Sequence, residues 1–153
     1  MIPVAGRVAV GDRLPTLVKP PLTRATLAYF CGASNDHNPL HIDPDAARAA
    51  GMEDVFAHGM LNMAYLGQLL TGWMPQACLR SFEVKFGAIV KLGEQLVCDG
   101  EITDVGEQGA NRRVVVRLVA TNQSGEEKLV GEAVVELPLS ATIPVHGKSD
   151  EIQ

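Results

Sequence analysis

An acid and an imidazole stand close together in the segment Asp36-His37-Asn38-Pro39-Leu40-His41. Pro39 biases Asn38 away from helical geometry, so the segment reads as a loop. A loop that folds back brings the Asp36 carboxyl and the His41 imidazole to one point. There, one group can take a proton from water while the other delivers one to carbon. Burial beside an apolar element would shift both pKa values. The same residues also fit a plainer reading, in which Asp36 caps a turn and His41 is a satisfied, partly buried side chain. A metal site is the sharper rival, because His37 and His41 are spaced i, i+4 with Asp36 and Asp43 nearby. On a helix that spacing puts both rings on one face. Pro39 lies between them and argues against a continuous helix, so the spacing loses its force.

The second block with chemical potential is His58-Gly59-Met60, at the start of a long apolar run. The first N–H groups of a helix lack internal partners and carry partial positive charge. Gly59 has no side chain to obstruct a ligand, and a developing enolate oxygen placed there would be stabilised. Alternatively Gly59 only permits close packing and His58 is a cap. The chain contains no G-x-S-x-G, no Walker loop and no G-x-G-x-x-G. Nucleophile-elbow hydrolases, nucleotide hydrolases and dinucleotide oxidoreductases therefore have no support.

The elements that must position these residues are legible in outline. Residues 1–21 read as an extended segment with a turn at Gly11-Asp12. Thr23 suits the N-cap of a short helix, Arg24 to Cys31, with Gly32 as its stop. Asp43, Pro44 and Gly51 suit the cap, first position and stop of a second short helix. From His58 to Met74 the chain is apolar nearly all round, so tertiary packing must hold this helix against the low propensity of its glycines. After Pro75 the pattern turns to period two. Four runs, around Phe82–Phe86, Leu96–Glu101, Arg113–Ala120 and Leu129–Leu137, are separated by turn signals at Leu92-Gly93-Glu94, at Gly106 with Gly109, and at Asn122 to Gly125. They predict four antiparallel strands linked as hairpins or a meander. This is an α+β layout whose economical solution is an antiparallel sheet curled round the long central helix. An apolar helix of this size also suggests that a second subunit completes its burial.

The 153 residues read as one domain, 1–153, with a core over about 8–137 and a loosely ordered tail, 138–153. An apolar share of 46%, a charged share of 20% and a net charge of −5 fit a globular chain and argue against nucleic-acid or anionic-membrane partners. Val55 to Leu79 carries no Asp, Glu, Lys or Arg, but His58, Asn62 and Gln68 interrupt it and Pro75 ends it, so it reads as a helix buried in protein. Cys31, Cys78 and Cys98 form no C-x-x-C pair and read as small apolar residues of a reduced, cytoplasmic protein. The first residues lack the pattern of a signal peptide.

Tyr29-Phe30-Cys31-Gly32-Ala33-Ser34-Asn35-Asp36-His37-Asn38-Pro39-Leu40-His41 resembles the hydratase-2 motif of MaoC-like (R)-specific enoyl-CoA hydratases. Its centre, Asp-x-Asn-Pro-(aliphatic)-His, is matched by Asp36, Asn38, Pro39, Leu40 and His41. Phe56-Ala57-His58-Gly59-Met60-Leu61 resembles the start of that family's central helix, and Val10-Gly11-Asp12 resembles the opening of its smaller members, which include dehydratase subunits of fatty-acid and mycolic-acid elongation. The similarity runs over roughly residues 8–137. The resemblance implies a hotdog fold, a homodimer or a heterodimer with a homologous chain, and a trans-2-enoyl thioester substrate on CoA or acyl carrier protein. It also implies no metal or redox cofactor. It assigns His41 and Asp36 to proton transfer, Asn38 to holding the loop, and the Gly59 N–H to the thioester oxygen. His37 is left as a bystander. Two departures stand out. Asn35 occupies a position where many members have Gly, and no helix residue among Asn62, Ala64 and Gly67 matches a hydroxyl that some relatives supply. A hotdog thioesterase, and a subunit inactive by itself, are the alternative readings.

Overall fold

The computed structural model describes residues 8–139; the predicted tail lies outside them except for Pro138 and Leu139. The elements run β1 (Leu17–Val18), α1 (Arg24–Ser34), a 3-10 turn (Pro39–His41), α2 (Pro44–Ala49), α3 (Gly59–Trp73), a second 3-10 turn (Gln76–Cys78), β2 (Leu79–Phe86), β3 (Val97–Gln108), β4 (Asn111–Thr121) and β5 (Glu127–Pro138). The five strands form one antiparallel sheet in the order β1-β3-β4-β5-β2. The sheet packs against α3 through β2, β3 and β4. Leu61, Leu66, Leu69, Leu70 and Trp73 of α3 join Cys98, Ile102, Val116, Leu118 and Ala120 in the core. This is the hotdog arrangement implied by the resemblance.

Three sequence expectations need correction. First, α1 does not stop at Gly32. It runs to Ser34, and Asn35 takes the left-handed conformation at φ 60. Asn is the residue besides Gly that visits this region readily, which explains why Asn can stand where relatives carry Gly. Second, only β3, β4 and β5 form a meander. β2 lies at the far edge and pairs with β5, so that β4 and β5 stand between it and β3. Third, the extended N-terminal segment contributes a fifth strand, with Leu17 opposite Cys98 and Val18 opposite Val97. Gly106 lies inside β3, and the turn to β4 is made by Gly109 at φ 61. The two-residue caps of α2 stand as read: Asp43 accepts from the N–H groups of Asp45 and Ala46, and Gly51 follows at φ 85.

One glycine in the sheet is required by packing. A Cβ on Gly131 would sit 2.4 Å from the backbone oxygen of Glu83, so β2 and β5 could not keep their register with any other residue there. The helix α3 is covered on one side only. Leu66 and Leu70 are fully buried, whereas Met60 is 56% exposed and Ala64, Gln68 and Thr71 also face outward.

A buried cation pins the sheet to the loop before β3. Lys128, at the start of β5, is 2% exposed. Its Nζ donates to Glu126 at 2.7 Å, to Glu94 at 3.0 Å and to the carbonyl of Ile89 at 2.9 Å. Burial alone would lower the ammonium pKa, but its hydrogen bonds to Glu126 and Glu94 outweigh it and hold the pKa above its ordinary value. The backbone oxygen of Lys128 also accepts from Gly87 and Ala88. Lys128 therefore fixes both ends of the 87–89 segment. Removing one partner of a buried ion pair leaves an uncompensated charge. Lys128→Met should lower stability by about 3 kcal/mol, the lower end of that cost, because Glu126 is half-exposed. Chemical denaturation should read this as a lower midpoint at unchanged slope, and a midpoint equal to wild type would show that the charge is not buried in solution.

Candidate active site

The loop from Asn35 to Asp43 is folded by its own side chains. Asp36 Oδ1 accepts from the Asn38 N–H at 3.3 Å, and Asn38 Oδ1 accepts from the Leu40 N–H at 3.1 Å. Asn38 thereby caps the 3-10 turn Pro39–His41, within which the His41 N–H donates to the Asn38 carbonyl at 3.1 Å. The turn, not a helix, presents His41, as Pro39 predicts. Asn38 thus shapes the loop through backbone groups.

The His41 ring turns inward and is 8% exposed. Its Nδ1 lies 2.9 Å from the carbonyl oxygen of Phe56. A carbonyl only accepts, so Nδ1 carries the proton and the basic lone pair resides on Nε2. Phe56 is itself placed by the strand-like contact of its segment with Lys91 and by the Ala57 N–H, which donates to Val90. Its ring meets His41 edge-on at 4.8 Å.

His58, the residue before α3, is fully buried and belongs to the same cluster. Its side chain does not cap the helix. Instead Nε2 donates to the Asp36 carbonyl at 3.2 Å, and the ring lies against His41 with centroids 4.0 Å apart. Phe30 closes the other side at 5.0 Å. Burial, aided by the neighbouring His41, holds the His58 pKa below its ordinary value, so the ring is kept neutral. Its Nδ1 is enclosed without a partner.

The Asp36 carboxylate, His41 and His58 each bring one donor atom within 4.8 Å of the others. Asp36 is the least buried member, and the two imidazoles are buried. Among the described residues this is the one cluster of three potential metal donors. It differs from the His37/His41 pair that the spacing suggested, since His37 is exposed and outside it. One nitrogen of each clustered ring is spent on a backbone carbonyl.

Gly59 opens α3 beside this cluster. It lines a groove of about 210 Å³ with Phe56, Ala57, Asn62, Phe86 and Val90. A Cβ on Gly59 would stand 3.2 Å from the Phe86 ring, so the close approach of that ring favours a residue without a side chain here. A larger groove of about 540 Å³, lined by Met52, Asp54, Ile89 and Lys91 among others, meets the first at Phe56 and Ile89. Sequence reasoning placed Asp36, Asn38, His41 and Gly59 here but missed His58 as a site residue. The signal was its position directly before Gly59, which only the loop packing converts into contact. The cysteines behave as small apolar residues: all three are free and buried, and burial pushes the Cys98 thiol up to about 11.

The fold and cluster define a hotdog protein with a carboxylate–imidazole pair at the start of its central helix. The family described as MaoC like domain matches residues 7–124, and the chain belongs to that family. An (R)-specific enoyl-CoA hydratase of Aeromonas caviae is 31% identical over 116 residues, covering 74% of this chain and 85% of the relative. A mitochondrial 3-hydroxyacyl-[acyl-carrier-protein] dehydratase of Arabidopsis thaliana is 29% identical over 112 residues, 71% of this chain and 66% of the relative's own length. Among solved structures, the A. caviae (R)-hydratase involved in PHA biosynthesis superposes with a TM-score of 0.75 at 29% identity, over 88% of this chain and all of that one. The ChsH1-ChsH2 complex of Mycobacterium tuberculosis shares the fold, with a TM-score of 0.74 at 21% identity over 84% of this chain and 98% of that one.

The neutral His58 makes a stability prediction with a definite sign. Its folded-state pKa lies below the unfolded value, so its contribution is fully present above about pH 6.5 and is lost as pH falls through the folded value. Unfolding free energy measured across this range should drop more steeply with acid for wild type than for His58→Asn. Parallel profiles would mean that His58 is not held neutral by burial.

Proposed function

We propose that this chain catalyses reversible hydration of a trans-2-enoyl thioester to the (3R)-3-hydroxyacyl thioester. The observation that carries this reading is the Asp36 carboxylate within 4.8 Å of a buried imidazole whose tautomer is fixed by a carbonyl, beside the start of α3. The thioester oxygen sits at the Gly59 N–H, which stabilises the charge that builds there as C3 is attacked. His41 Nε2 takes a proton from water as the water oxygen bonds to C3. Asp36 orients that water, takes the proton on from the His41 imidazolium and delivers it to C2, so that the carboxylate and the neutral imidazole are both restored. Dehydration runs these steps backwards. The names of the 31% and 29% identical relatives support this reaction class.

In this reading the chemistry needs no metal or redox cofactor. A second copy covers the outward face of α3 at Met60 and Ala64 and pairs with β2, which is an edge strand of the sheet. A homologous chain in that place is the variant of the same proposal. Among the described residues no helix is long and apolar enough to cross a membrane. The three free, buried thiols suit a reducing, cytoplasmic setting.

Purified protein should consume the enoyl absorbance of a short trans-2-enoyl-CoA without releasing free thiol. His41→Ala and Asp36→Asn should each lower kcat by about 10²–10⁴-fold at unchanged fold, and a chelator should leave the wild-type rate intact. Thiol release in place of hydration would favour a thioesterase, and loss of rate on chelation would move the chemistry to a metal. Sedimentation of the purified 16.3 kDa chain should give twice that mass; a monomer that becomes active only with a homologous chain would replace the homodimer by the heterodimer.

A further inference from the structure

Asn62 is the one amide on the inward face of an otherwise apolar stretch of α3. It is 4% exposed, and its Oδ1 is enclosed with no hydrogen-bond partner among the described residues. Leaving such a group unpaired is costly. An apolar residue of the same size would avoid that cost, since the neighbours Leu61 and Leu66 pack without it. The side chain borders space on both sides. It lines the groove beside Gly59, and also a small inner cavity of about 10 Å³ shared with Lys19, Leu22, Tyr65, Val90 and Glu94. The outer groove shares Phe56 and Ile89 with the Gly59 groove, which shares Asn62 and Val90 with the small cavity.

Asn62 is three residues after Gly59, on the same side of the helix and about 4.5 Å further along its axis. Resting on the hydration reading, a thioester oxygen at Gly59 with its carrier arm in the large outer groove sends the acyl chain inward past Asn62. The atoms that meet the amide lie beyond C3. A carboxamide offers either a donor or an acceptor there, because a flip about its last torsion exchanges the two. The inner cavity is small, and Lys19 and Glu94 add polar ends to its wall.

We infer that Asn62 is a specificity-determining residue, and that the acyl group this site takes is short and carries a hydroxyl or carbonyl oxygen beyond C3. A plain alkyl chain leaves the amide unpaired. An oxygenated chain supplies the missing partner.

The test compares isosteric pairs in which a hydroxyl replaces a methyl: trans-2-enoyl-CoA esters hydroxylated at C4 or C5, against their methyl-substituted counterparts. Wild type should favour the hydroxylated member of at least one pair by roughly ten-fold or more in kcat/KM. Asn62→Leu, which keeps size and apolar packing, should abolish or reverse that preference through the hydroxylated substrate's KM while still hydrating the methyl member. Wild-type rates alone suffice if the variant fails to fold: equal or methyl-favouring kcat/KM values in both pairs would overturn the inference. So would an unchanged ratio in a folded Asn62→Leu. Failure of every enoyl-CoA to react would instead remove the hydration reading, and this inference with it.

Discussion

The site depends on one hydrogen bond between segments that lie far apart in sequence. The buried His58 ring donates to the backbone carbonyl of Asp36 and at the same time stacks on His41. A buried imidazole is tolerated only if its polar atoms are served or it stays neutral. Here one nitrogen is served by the loop, burial keeps the ring neutral, and the other nitrogen is left enclosed. The loop cannot drift without exposing that deficit. Because Asp36 and His58 are joined, the carboxylate, the second imidazole and the Gly59 N–H move as one body. The proposed chemistry asks for that, since water, C2 and the thioester oxygen must all be addressed at once.

The helix that starts at this cluster is weak by its own propensity. Gly59, Gly67 and Gly72 each lower it, and no charged residue pairs along its surface. Packing onto the sheet holds it, with Leu66 and Leu70 fully buried. The sheet in turn reaches the groove through Lys128. That side chain clamps the carbonyl of Ile89 from the start of β5, while its own backbone holds Gly87 and Ala88. The wall facing Gly59 is thus a loop whose shape is set by a buried ion pair in the sheet. Substitutions near Lys128 should be judged for their effect on groove shape as much as on stability.

Asn35 shows how a departure from a family pattern can be conservative in physical terms. The position needs positive φ at the end of α1, and Asn supplies it with a small cost where Gly supplies it with none. Asn62 is the opposite case. Nothing in the local backbone asks for an amide there, and its Oδ1 has no partner among the described residues.

The sequence by itself determined the chain's class, the α+β order, most caps and turns, and the residues Asp36, Asn38, His41 and Gly59 as a candidate site. These rest on local physics: Pro39 breaking the helix, Asp43 and Gly51 bounding α2, period two after Pro75. Only the tertiary structure decided that β2 lies beside β5, that a short strand at Leu17 edges the sheet, that α1 runs on to Ser34, and that His58 and Lys128 are buried. Strand order and the burial of a polar side chain are set by contacts between residues distant in the chain, which no local pattern encodes. The same holds for the carboxylate and imidazole of the opening segment. Their spacing permits a meeting, and the packing of His58 beneath them brings it about.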